Sequence, residues 1–381
     1  MVNKTEIKNK GHSSIFIFDK LSISILTVQN KPKLLSGFEQ KVIQLAEEWL
    51  SPKNEFEFQT SGSTGTPKQI AFTRAQIKSS VKLTQNFFGL QAGQAALLCL
   101  DPNFIAGKMM IVRALEIGVD LICLPPSANP LENLKEDSVI EFAALVPYQL
   151  EAILASDAAT KKLNRIKKVI VGGAAVPDDL IQRLQSLSSR FYETYGMTET
   201  LTHVAVRKLN PVEPAFHPLP GVKIFLNDRL CLNIQANHLS PEIIRTNDLA
   251  NILPDGSFSL IGRYDNIINT AGVKVSPEEV ERKISTVMSN NLSGLHYFIG
   301  GVKDKAFWER VVLLVESEPI PDAIKNSITG QMRLILKKWE VPKEIICIPS
   351  FKRTSSGKVN RIETKFSKPD LTPGPSPDGE G

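Results

Sequence analysis

Apolar and polar positions alternate along this chain with two different periods. Between Gly37 and Leu50, apolar side chains recur every three or four residues, and Pro52 follows. That period is typical of an amphipathic helix, which a proline ends. Short apolar runs with the length of buried strands then alternate with longer helical patterns. The strand-like runs are 95–100, 121–124, 142–146 and 168–171, and the helical patterns include 105–117 and 178–186.

This alternation predicts an α/β fold with a largely parallel sheet, and two later changes of pattern predict further units. After Gly221 the apolar runs shorten and turns separate them, as at Pro254-Asp255-Gly256, which indicates a small β-rich subdomain. From Asp265 onward a second α/β pattern begins, with helices expected near 277–288 and 324–338.

We therefore expect a large N-terminal domain over residues 1–264, which contains α/β sheets and the β-rich subdomain. A smaller α+β domain, expected to move as a lid, follows over residues 265–368. The final segment, 369–381, is rich in Pro and Gly and has no apolar period, so we expect it to be disordered.

The composition fits a globular protein with ample material for a core. The chain has 381 residues, of which 42% are hydrophobic, and its net charge is only +5. We expect no nucleic-acid partner from so balanced a charge, and no membrane span because no apolar run approaches ~20 residues. The cysteines are far apart in apolar stretches, which predicts buried free thiols in a reducing cytoplasm. They are Cys99, Cys123, Cys231 and Cys347.

A run of hydroxyl residues and glycines follows the strand-like segment 56–58. Taken alone, such a run is as often a plain flexible turn. Its small residues can nevertheless direct backbone and side-chain donors toward a polyphosphate, and Lys68 adds a positive charge. The spacing is not that of a Walker loop, because no Lys-Ser/Thr pair follows the second glycine. The candidate phosphate-binding residues are Thr60, Ser61, Gly62, Ser63, Thr64, Gly65 and Lys68.

This loop resembles the phosphate loop of the adenylate-forming (ANL) superfamily, which includes acyl-CoA synthetases, peptide-synthetase adenylation domains and luciferases. Further matches follow in the family's order and span about residues 56–361. The resemblance depends on this order, because each motif alone is weak. It implies an enzyme that binds ATP and Mg²⁺ and forms an acyl-adenylate.

Two of the matching motifs lie in the part of the family that binds adenine and phosphate. A glycine turn follows the run 168–171 and is implied to lie against adenine, where only small residues allow the backbone to approach. In the segment 192–200, Tyr195 is implied to pack on adenine, Thr198 to bind phosphate and Glu199 to hold Mg²⁺. The candidates are Gly172, Gly173, Ala174, Tyr195, Thr198 and Glu199.

Three further charged residues match the ribose site and the hinge. Asp248 is implied to accept the ribose hydroxyls, with Asn247 standing where the family has glycine. Asparagine tolerates the left-handed conformation better than other residues with a side chain, so this change is mild. Arg263 is implied to bind ribose or phosphate, and Asp265 to be the pivot of the mobile domain.

Two lysines complete the implied machinery. Lys274 is implied to contact the nucleotide or coenzyme A, and Lys358, in the loop 354–361, to be the catalytic lysine. The expected reaction joins a carboxylic acid to AMP and then transfers the acyl group to coenzyme A, with a large hinge rotation between the two steps. Phe104 departs from the family, since many acyl-CoA synthetases carry a histidine there, near the reacting carboxylate.

The acyl substrate is suggested by a closer resemblance within the superfamily. The compact length and the segments 104–110 and 195–203 look most like the o-succinylbenzoate–CoA ligases of menaquinone synthesis. The second carboxylate of that substrate needs a cationic or hydrogen-bonding pocket. Phe104, Lys108, Arg113 and His203 are the candidate acyl-site residues.

Other functions stay open on the sequence alone. Another aryl- or acyl-CoA synthetase, or a stand-alone adenylation domain that loads a carrier protein, would share these motifs. An inactive nucleotide-binding homologue is disfavoured because the charged residue of each main motif is present. These residues are Lys68, Glu199, Asp248, Arg263 and Lys358.

Overall fold

The computed structural model describes residues 15–18, 22–24, 37–59, 69–353 and 359–367. Three features expected from the sequence lie outside these ranges. They are the phosphate-loop residues Thr60, Ser61, Gly62, Ser63, Thr64, Gly65 and Lys68, the catalytic-lysine candidate Lys358, and the tail 369–381.

Strands and helices alternate through the first half of the chain, and strands dominate the middle. The helices are α1 Gly37–Leu50, α2 Arg74–Phe88, α3 Ile105–Ile117, α4 Pro147–Leu154, α5 Asp157–Leu163, α6 Asp178–Leu184, α7 Pro277–Asn291, α8 Asp322–Ile335 and α9 Arg361–Phe366. The first strands are β1 Ile15–Ile17, β2 Ser22–Ser24, β3 Glu55–Gln59, β4 Gln69–Thr73, β5 Ala95–Leu98, β6 Asp120–Cys123, β7 Phe142–Leu145, β8 Lys168–Val171, β9 Arg190–Gly196, β10 His203–Lys208 and β11 His217–Pro218. The later strands are β12 Val222–Leu226, β13 Cys231–Ala236, β14 Ile244–Ile252, β15 Phe258–Arg263, β16 Ile268–Thr270, β17 Val273–Val275, β18 Tyr297–Asp304, β19 Trp308–Glu316 and β20 Glu344–Ile348.

The largest sheet has nine strands in the order β11-β10-β9-β8-β7-β5-β6-β1-β2. The pairings from β9 to β1 are parallel, and antiparallel strands extend both edges. Alternate residues of β7 enter different apolar cores: Phe142 packs in one cluster and Ala143 in another. Because both faces of a strand are buried in this way, its sequence is continuously apolar. The prediction of a largely parallel α/β sheet is confirmed.

Two further sheets follow along the chain. Strands β12 to β15 form an antiparallel meander. Strands β16 to β20 form a five-stranded sheet with apolar clusters of its own. The expected domain boundary between residues 264 and 265 falls in the 3₁₀ turn Tyr264–Asn266, which links these sheets. That residues 265–368 move as a lid stays a prediction.

Polar contacts join α7 to the antiparallel meander. The Ser276 hydroxyl donates to the carbonyl oxygen of Ile261 at 3.0 Å, and the Asn266 amide donates to Glu278 at 2.5 Å. A Cβ atom at Gly262 would lie 2.4 Å from the Ser276 hydroxyl oxygen. Only glycine therefore fits at this crossing without displacement of the start of α7.

Some elements differ from what the sequence predicts. Helix α7 runs to Asn291 instead of residue 288, and α2 has no counterpart among the predicted elements. The buried stripe of α2 includes Ser80 and Thr84, so its apolar period is broken. The four cysteines are free, but Cys347 is half-buried and not buried as expected. Among the described helices, none combines the length and apolarity that crossing a bilayer requires.

Arg74, the first residue of α2, ties this helix to the end of α1. Its guanidinium donates to the carbonyl oxygens of Trp49 at 2.6 Å, Ser51 at 2.9 Å and Lys53 at 3.1 Å. It also lies 4.4 Å from the centroid of the Trp49 ring. The last carbonyls of a helix have no partner within the helix, so a fixed fork of donors stabilises that end.

Replacing Arg74 with Ala should lower the free energy of unfolding by about 2 kcal/mol, because several carbonyls lose a charged donor. Urea denaturation followed by circular dichroism measures the change. Arg74→Lys keeps the charge without the planar fork and should fall between the two. Lys82→Ala, which truncates an exposed side chain of the same helix, is the control and should change stability little. An Arg74→Ala protein as stable as the parent contradicts this account.

Candidate active site

The carboxyl ends of the parallel strands carry the residues that the sequence singled out. Strand β8 ends at Val171 and leads into the turn from Gly172, while β9 ends at Gly196 and leads into the 3₁₀ turn Thr198–Thr200. The two strands are adjacent and parallel, with Val171 opposite Glu193. Both turns therefore lie at the same edge of the sheet, where open α/β sheets bind ligands.

The glycine turn after β8 is fastened to β9. The Thr194 hydroxyl donates to the carbonyl oxygen of Val171 at 3.1 Å, and a Cβ atom at Gly172 would lie 2.6 Å from that hydroxyl oxygen. Gly173 has a φ of +88°, in the left-handed region that favours glycine. Gly173 and Ala174 are exposed. The backbone of this turn is thus open to a flat ligand and held in place from behind.

A buried carboxylate, which the sequence analysis missed, also supports this turn. Glu193 is 5% exposed; it accepts the backbone N–H of Val176 at 3.1 Å and pairs with Arg207 at 2.5 Å. Burial raises the pKa of Glu193, and Arg207 opposes the rise. An acidic residue between the aromatic residues of a strand was the available signal, because a buried acid needs a partner.

Tyr195 joins the large sheet to the antiparallel meander. Its ring is 8% exposed and packs edge-on against Phe258, with centroids 5.3 Å apart. Its hydroxyl donates to the Asp248 carboxylate at 2.6 Å. Burial, together with the charge of Asp248, holds the pKa of Tyr195 far above its usual value, so the phenol stays protonated and remains a donor.

Asp248, Arg263 and Asp265 form a charged cluster next to Tyr195. Arg263 lies 3.6 Å from Asp248 and forms a two-pronged pair with Asp265, each bond 3.0 Å long. Burial raises the pKa of Asp248, while Tyr195 and Arg263 oppose the rise. Burial alone would also raise the pKa of Asp265, but Arg263 outweighs it and holds this pKa below its usual range. The sequence candidates Tyr195, Asp248, Arg263 and Asp265 are thus brought together.

Thr198 and Glu199 face outward from the 3₁₀ turn beside this cluster. Thr198 is half-buried and Glu199 is exposed. Within the described ranges no group of three or more His, Cys, Asp or Glu residues could hold a metal ion. Mg²⁺ commonly binds proteins through one or two carboxylates and takes its other ligands from substrate phosphates and water. Glu199 fits a magnesium ion that arrives with ATP, and not a resident metal centre.

Two other candidates lie elsewhere. Lys274 is exposed on β17, in the C-terminal sheet. That it contacts the nucleotide or coenzyme A stays a prediction. Phe104 caps the start of α3 and is half-buried. A phenyl ring at this position cannot donate a hydrogen bond, so it cannot replace the family's histidine as a donor.

The acyl-site candidates separate into two groups along α3. Lys108 extends toward the β3–β4 hairpin, with its ammonium 5.3 Å from the centroid of the Phe58 ring. Arg113 lies on another side of the helix and is 4% exposed. Burial lowers the pKa of His203, and the charge of Arg113 lowers it further. Arg113 is thus near enough to act on His203 electrostatically, whereas Lys108 extends elsewhere.

Arg113 and His203 are two buried basic residues, each with an unpartnered nitrogen atom among the described residues. Arg113 forms no ion pair within 4.0 Å with any carboxylate in the described part of the chain, and its Nε atom has no hydrogen-bond partner there. Burial lowers the pKa of Arg113 to about 10. The His203 Nε2 atom is likewise unpartnered, and burial lowers the pKa of His203 to about 3. His203 is therefore neutral at ordinary pH, beside a charged guanidinium.

The fold is that of an α/β protein whose sequence-predicted residues gather at the carboxyl edge of its large sheet, and comparisons with known proteins identify its family. Residues 33–238, more than half of the chain, match the family described as AMP-binding enzyme. The 2-succinylbenzoate–CoA ligase of Lactococcus lactis is 24% identical over 80% of this chain and 69% of its own length. The enzyme of the same name from Escherichia coli is 28% identical over 80% and 67%.

Solved structures give the same result. An acyl-CoA synthetase (AMP-forming)/AMP-acid ligase II-like protein from Dyadobacter fermentans is 33% identical, with a TM-score of 0.59, over 89% of this chain and 97% of that one. The o-succinylbenzoate CoA synthetase from Bacillus subtilis, in complex with the acyl-adenylate OSB-AMP, has a TM-score of 0.70 over 81% and 68%. At 17% identity, the second likeness shows the fold alone. This chain belongs to the family of AMP-binding enzymes.

Replacing Tyr195 with Phe should move the acid limit of nucleotide binding to higher pH. The tyrosine hydrogen bond favours the ionised form of Asp248, so its loss raises the Asp248 pKa. Protonated Asp248 is a poorer acceptor for ribose hydroxyls, and binding is lost as pH falls through the higher pKa. Calorimetric titration of AMP from pH 4 to 8 measures the shift.

The matched control is Tyr192→Phe on the same strand, because within the described residues Tyr192 forms no hydrogen bond with Asp248. It should leave the acid limit where it is in the parent protein. The same acid limit in Tyr195→Phe and Tyr192→Phe proteins would show that Tyr195 does not tune Asp248.

Proposed function

We propose that this protein is an acid–CoA ligase that activates a carboxylic acid as its acyl-adenylate and then transfers the acyl group to coenzyme A. The observation that carries the proposal is the joining of Tyr195, Asp248 and Arg263 at the carboxyl edge of the sheet. An aromatic ring, a carboxylate and a guanidinium suit adenine, ribose and phosphate in turn. Family membership supports the same reading. We place the reaction in the cytoplasm, where ATP is available and thiols are kept reduced.

In the first step, a carboxylate oxygen of the acid attacks the α-phosphorus of ATP, and pyrophosphate leaves. The bound magnesium ion supplies charge neutralisation at the phosphates. Thr198 donates to a phosphate oxygen, Glu199 provides a hard oxygen for the ion, and Asp248 holds the ribose. Such a reaction depends mainly on positioning and on electrostatic stabilisation of charge that grows in the transition state.

In the second step, the thiol of coenzyme A attacks the acyl carbonyl carbon and AMP leaves. The thiol proton must be lost to form the thioester. Rotation about Asp265 would bring Lys274 toward the nucleotide or coenzyme A and remove the catalytic lysine loop. The ion pair between Arg263 and Asp265 connects this pivot directly to the ribose site.

The proposed acid is o-succinylbenzoate, the substrate named for the curated relatives. The buried pair of Arg113 and His203 supports a substrate that carries a second carboxylate. A buried cation without a partner is costly, and an anionic ligand would remove that cost on binding. His203, neutral beside Arg113, can donate a further hydrogen bond to the same carboxylate.

Release of pyrophosphate from ATP, measured across a panel of carboxylic acids with and without coenzyme A, tests this function. o-Succinylbenzoate should give the fastest turnover, with thioester formed only when coenzyme A is present. Acids of the same size without the second carboxylate should react more slowly. Equal activity with such acids would refute o-succinylbenzoate as the preferred substrate. If no acid caused pyrophosphate release, the proposed ligase function would be refuted.

Arg113→Met should lower kcat/KM for o-succinylbenzoate about 10- to 100-fold, since one charge-assisted interaction is lost. Activity with a monocarboxylic acid should change little. The free variant should be as stable as the parent or more stable in thermal unfolding, because an uncompensated buried charge is replaced by an apolar side chain. Arg113→Lys, which keeps the charge, is the control and should retain part of the preference. A Met variant that still prefers the dicarboxylate refutes the assignment of Arg113.

Lys358→Ala should nearly abolish adenylation, with a loss of ~10²-fold or more, and spare the second step. An ammonium near the α-phosphate stabilises charge that grows only as pyrophosphate departs. Exchange between ATP and labelled pyrophosphate measures the first step, and supplied acyl-adenylate with coenzyme A measures the second. Loss of both steps to the same extent in a folded variant would exclude a role restricted to adenylation.

A further inference from the structure

The connection between β9 and β10 has an unusual backbone directly after Glu199. Leu201 has a φ of +61° and a ψ of −51°, and the N–H of Thr202 donates to the carbonyl oxygen of Thr200 at 2.6 Å. These values describe a γ-turn of the rare, strained kind. Leu201 is a branched residue with a side chain, so its left-handed φ has a cost. Such strain persists only where several independent contacts hold the backbone in that conformation.

The hydroxyl of Thr200 is the centre of the contacts that fix this turn. Thr200 is fully buried, and its Oγ1 atom accepts the N–H of Met197 at 2.9 Å. The same atom lies 2.8 Å from the carbonyl oxygen of Thr202 and 3.0 Å from that of Met197, and one of these takes its proton. One side chain therefore joins the start of the turn to its end.

The rest of the connection is held equally closely. Leu201 is fully buried in the main apolar cluster, and the Thr202 hydroxyl contacts that of Ser80 on α2 at 2.8 Å. A Cβ atom at Gly196 would lie 2.3 Å from the carbonyl oxygen of Thr202. Within the turn, Thr198 and Glu199 are left to face outward. These contacts hold the backbone of the buried half of the turn in place. They thereby restrict the positions that the outward side chains can take.

We propose that Thr200 is a positioning residue that holds Thr198 and Glu199 where they bind the magnesium-bound phosphates of ATP. This inference rests on the proposed function. Without the hydroxyl, the N–H of Met197 loses its acceptor and the strained γ-turn has less to hold it. The turn then relaxes, and the Glu199 carboxylate leaves the position that meets the ion. Groups that orient a metal ligand commonly contribute 10- to 100-fold to metal affinity.

Thr200→Val removes the hydroxyl and keeps the shape of the side chain. Its affinity for ATP with Mg²⁺ should fall about 10-fold in calorimetric titration. Its affinity for AMP, and for ATP in the presence of a chelator, should fall by much less, because both can still contact Thr198 but neither uses Glu199. Thr200→Ser restores the hydroxyl and should recover most of the magnesium-dependent affinity. Thr160→Val is the control. It removes the hydrogen bond from the Thr160 hydroxyl to the carbonyl oxygen of Ile153, outside the β9–β10 connection, and should leave all three affinities unchanged.

Leu201→Gly gives a second route to the same result, since glycine adopts the left-handed φ without strain and loosens the turn. It should also weaken binding of ATP with Mg²⁺ more than binding of AMP. If Thr200→Val does not fold, this variant and Thr200→Ser decide the question. Unchanged affinity for ATP with Mg²⁺ overturns the proposal, as does an equal loss for AMP, which would mean that the hydroxyl only supports the fold. A parent protein that binds neither nucleotide refutes the proposed function instead.

Discussion

The hydrogen bond between Tyr195 and Asp248 is the interaction on which the candidate site depends, because it joins two separate sheets. Tyr195 lies near the end of β9 in the nine-stranded sheet, and Asp248 lies on β14 of the antiparallel meander. Phe216 and Phe258 pair through their backbones beneath this bond, and their rings stack 5.6 Å apart. A buried donor or acceptor that loses its partner is costly, so this bond helps to fix the spacing of the two sheets. One contact thereby sets the relative position of Tyr195 and Asp248, the residues proposed to meet adenine and ribose.

Charged side chains removed from water occur in this molecule both with and without a partner of opposite charge. The buried Glu193 pairs with Arg207 at 2.5 Å, and the half-buried Glu281 accepts two bonds of 2.8 Å from the half-buried Arg361. Such pairs roughly offset the cost of removing their charges from water. Arg113 has no such carboxylate among the described residues, and burial lowers its pKa to about 10. The paired charges join parts of the fold to one another. An unpaired charge in the core is costly unless a ligand of opposite charge binds to it.

The sequence by itself determined the alternation of strands and helices in the first half of the chain and the change to short strands after Gly221. Apolar periodicity is a local property, and it predicted α1, α3 and the parallel strands β5 to β8 near their observed bounds. Residue type and motif order also nominated Tyr195, Asp248 and Arg263 together, because an aromatic ring, a carboxylate and a guanidinium suit the parts of a nucleotide. Helix α2 was not predicted, since polar residues interrupt its buried face and local pattern could not distinguish them from solvent-facing positions.

Only the tertiary structure decided which distant groups become partners. Lys108 and Arg113 are equivalent in the sequence as cations on one helix, but they extend in different directions, and Arg113 is the one whose charge acts on His203. Arg207, the partner of Glu193, likewise became visible only when β9 and β10 paired as a hairpin. Such contacts depend on strand register and side-chain direction, which periodicity does not encode. The sequence thus specified the chemistry available, and the packing of sheets and helices selected which residues could act together.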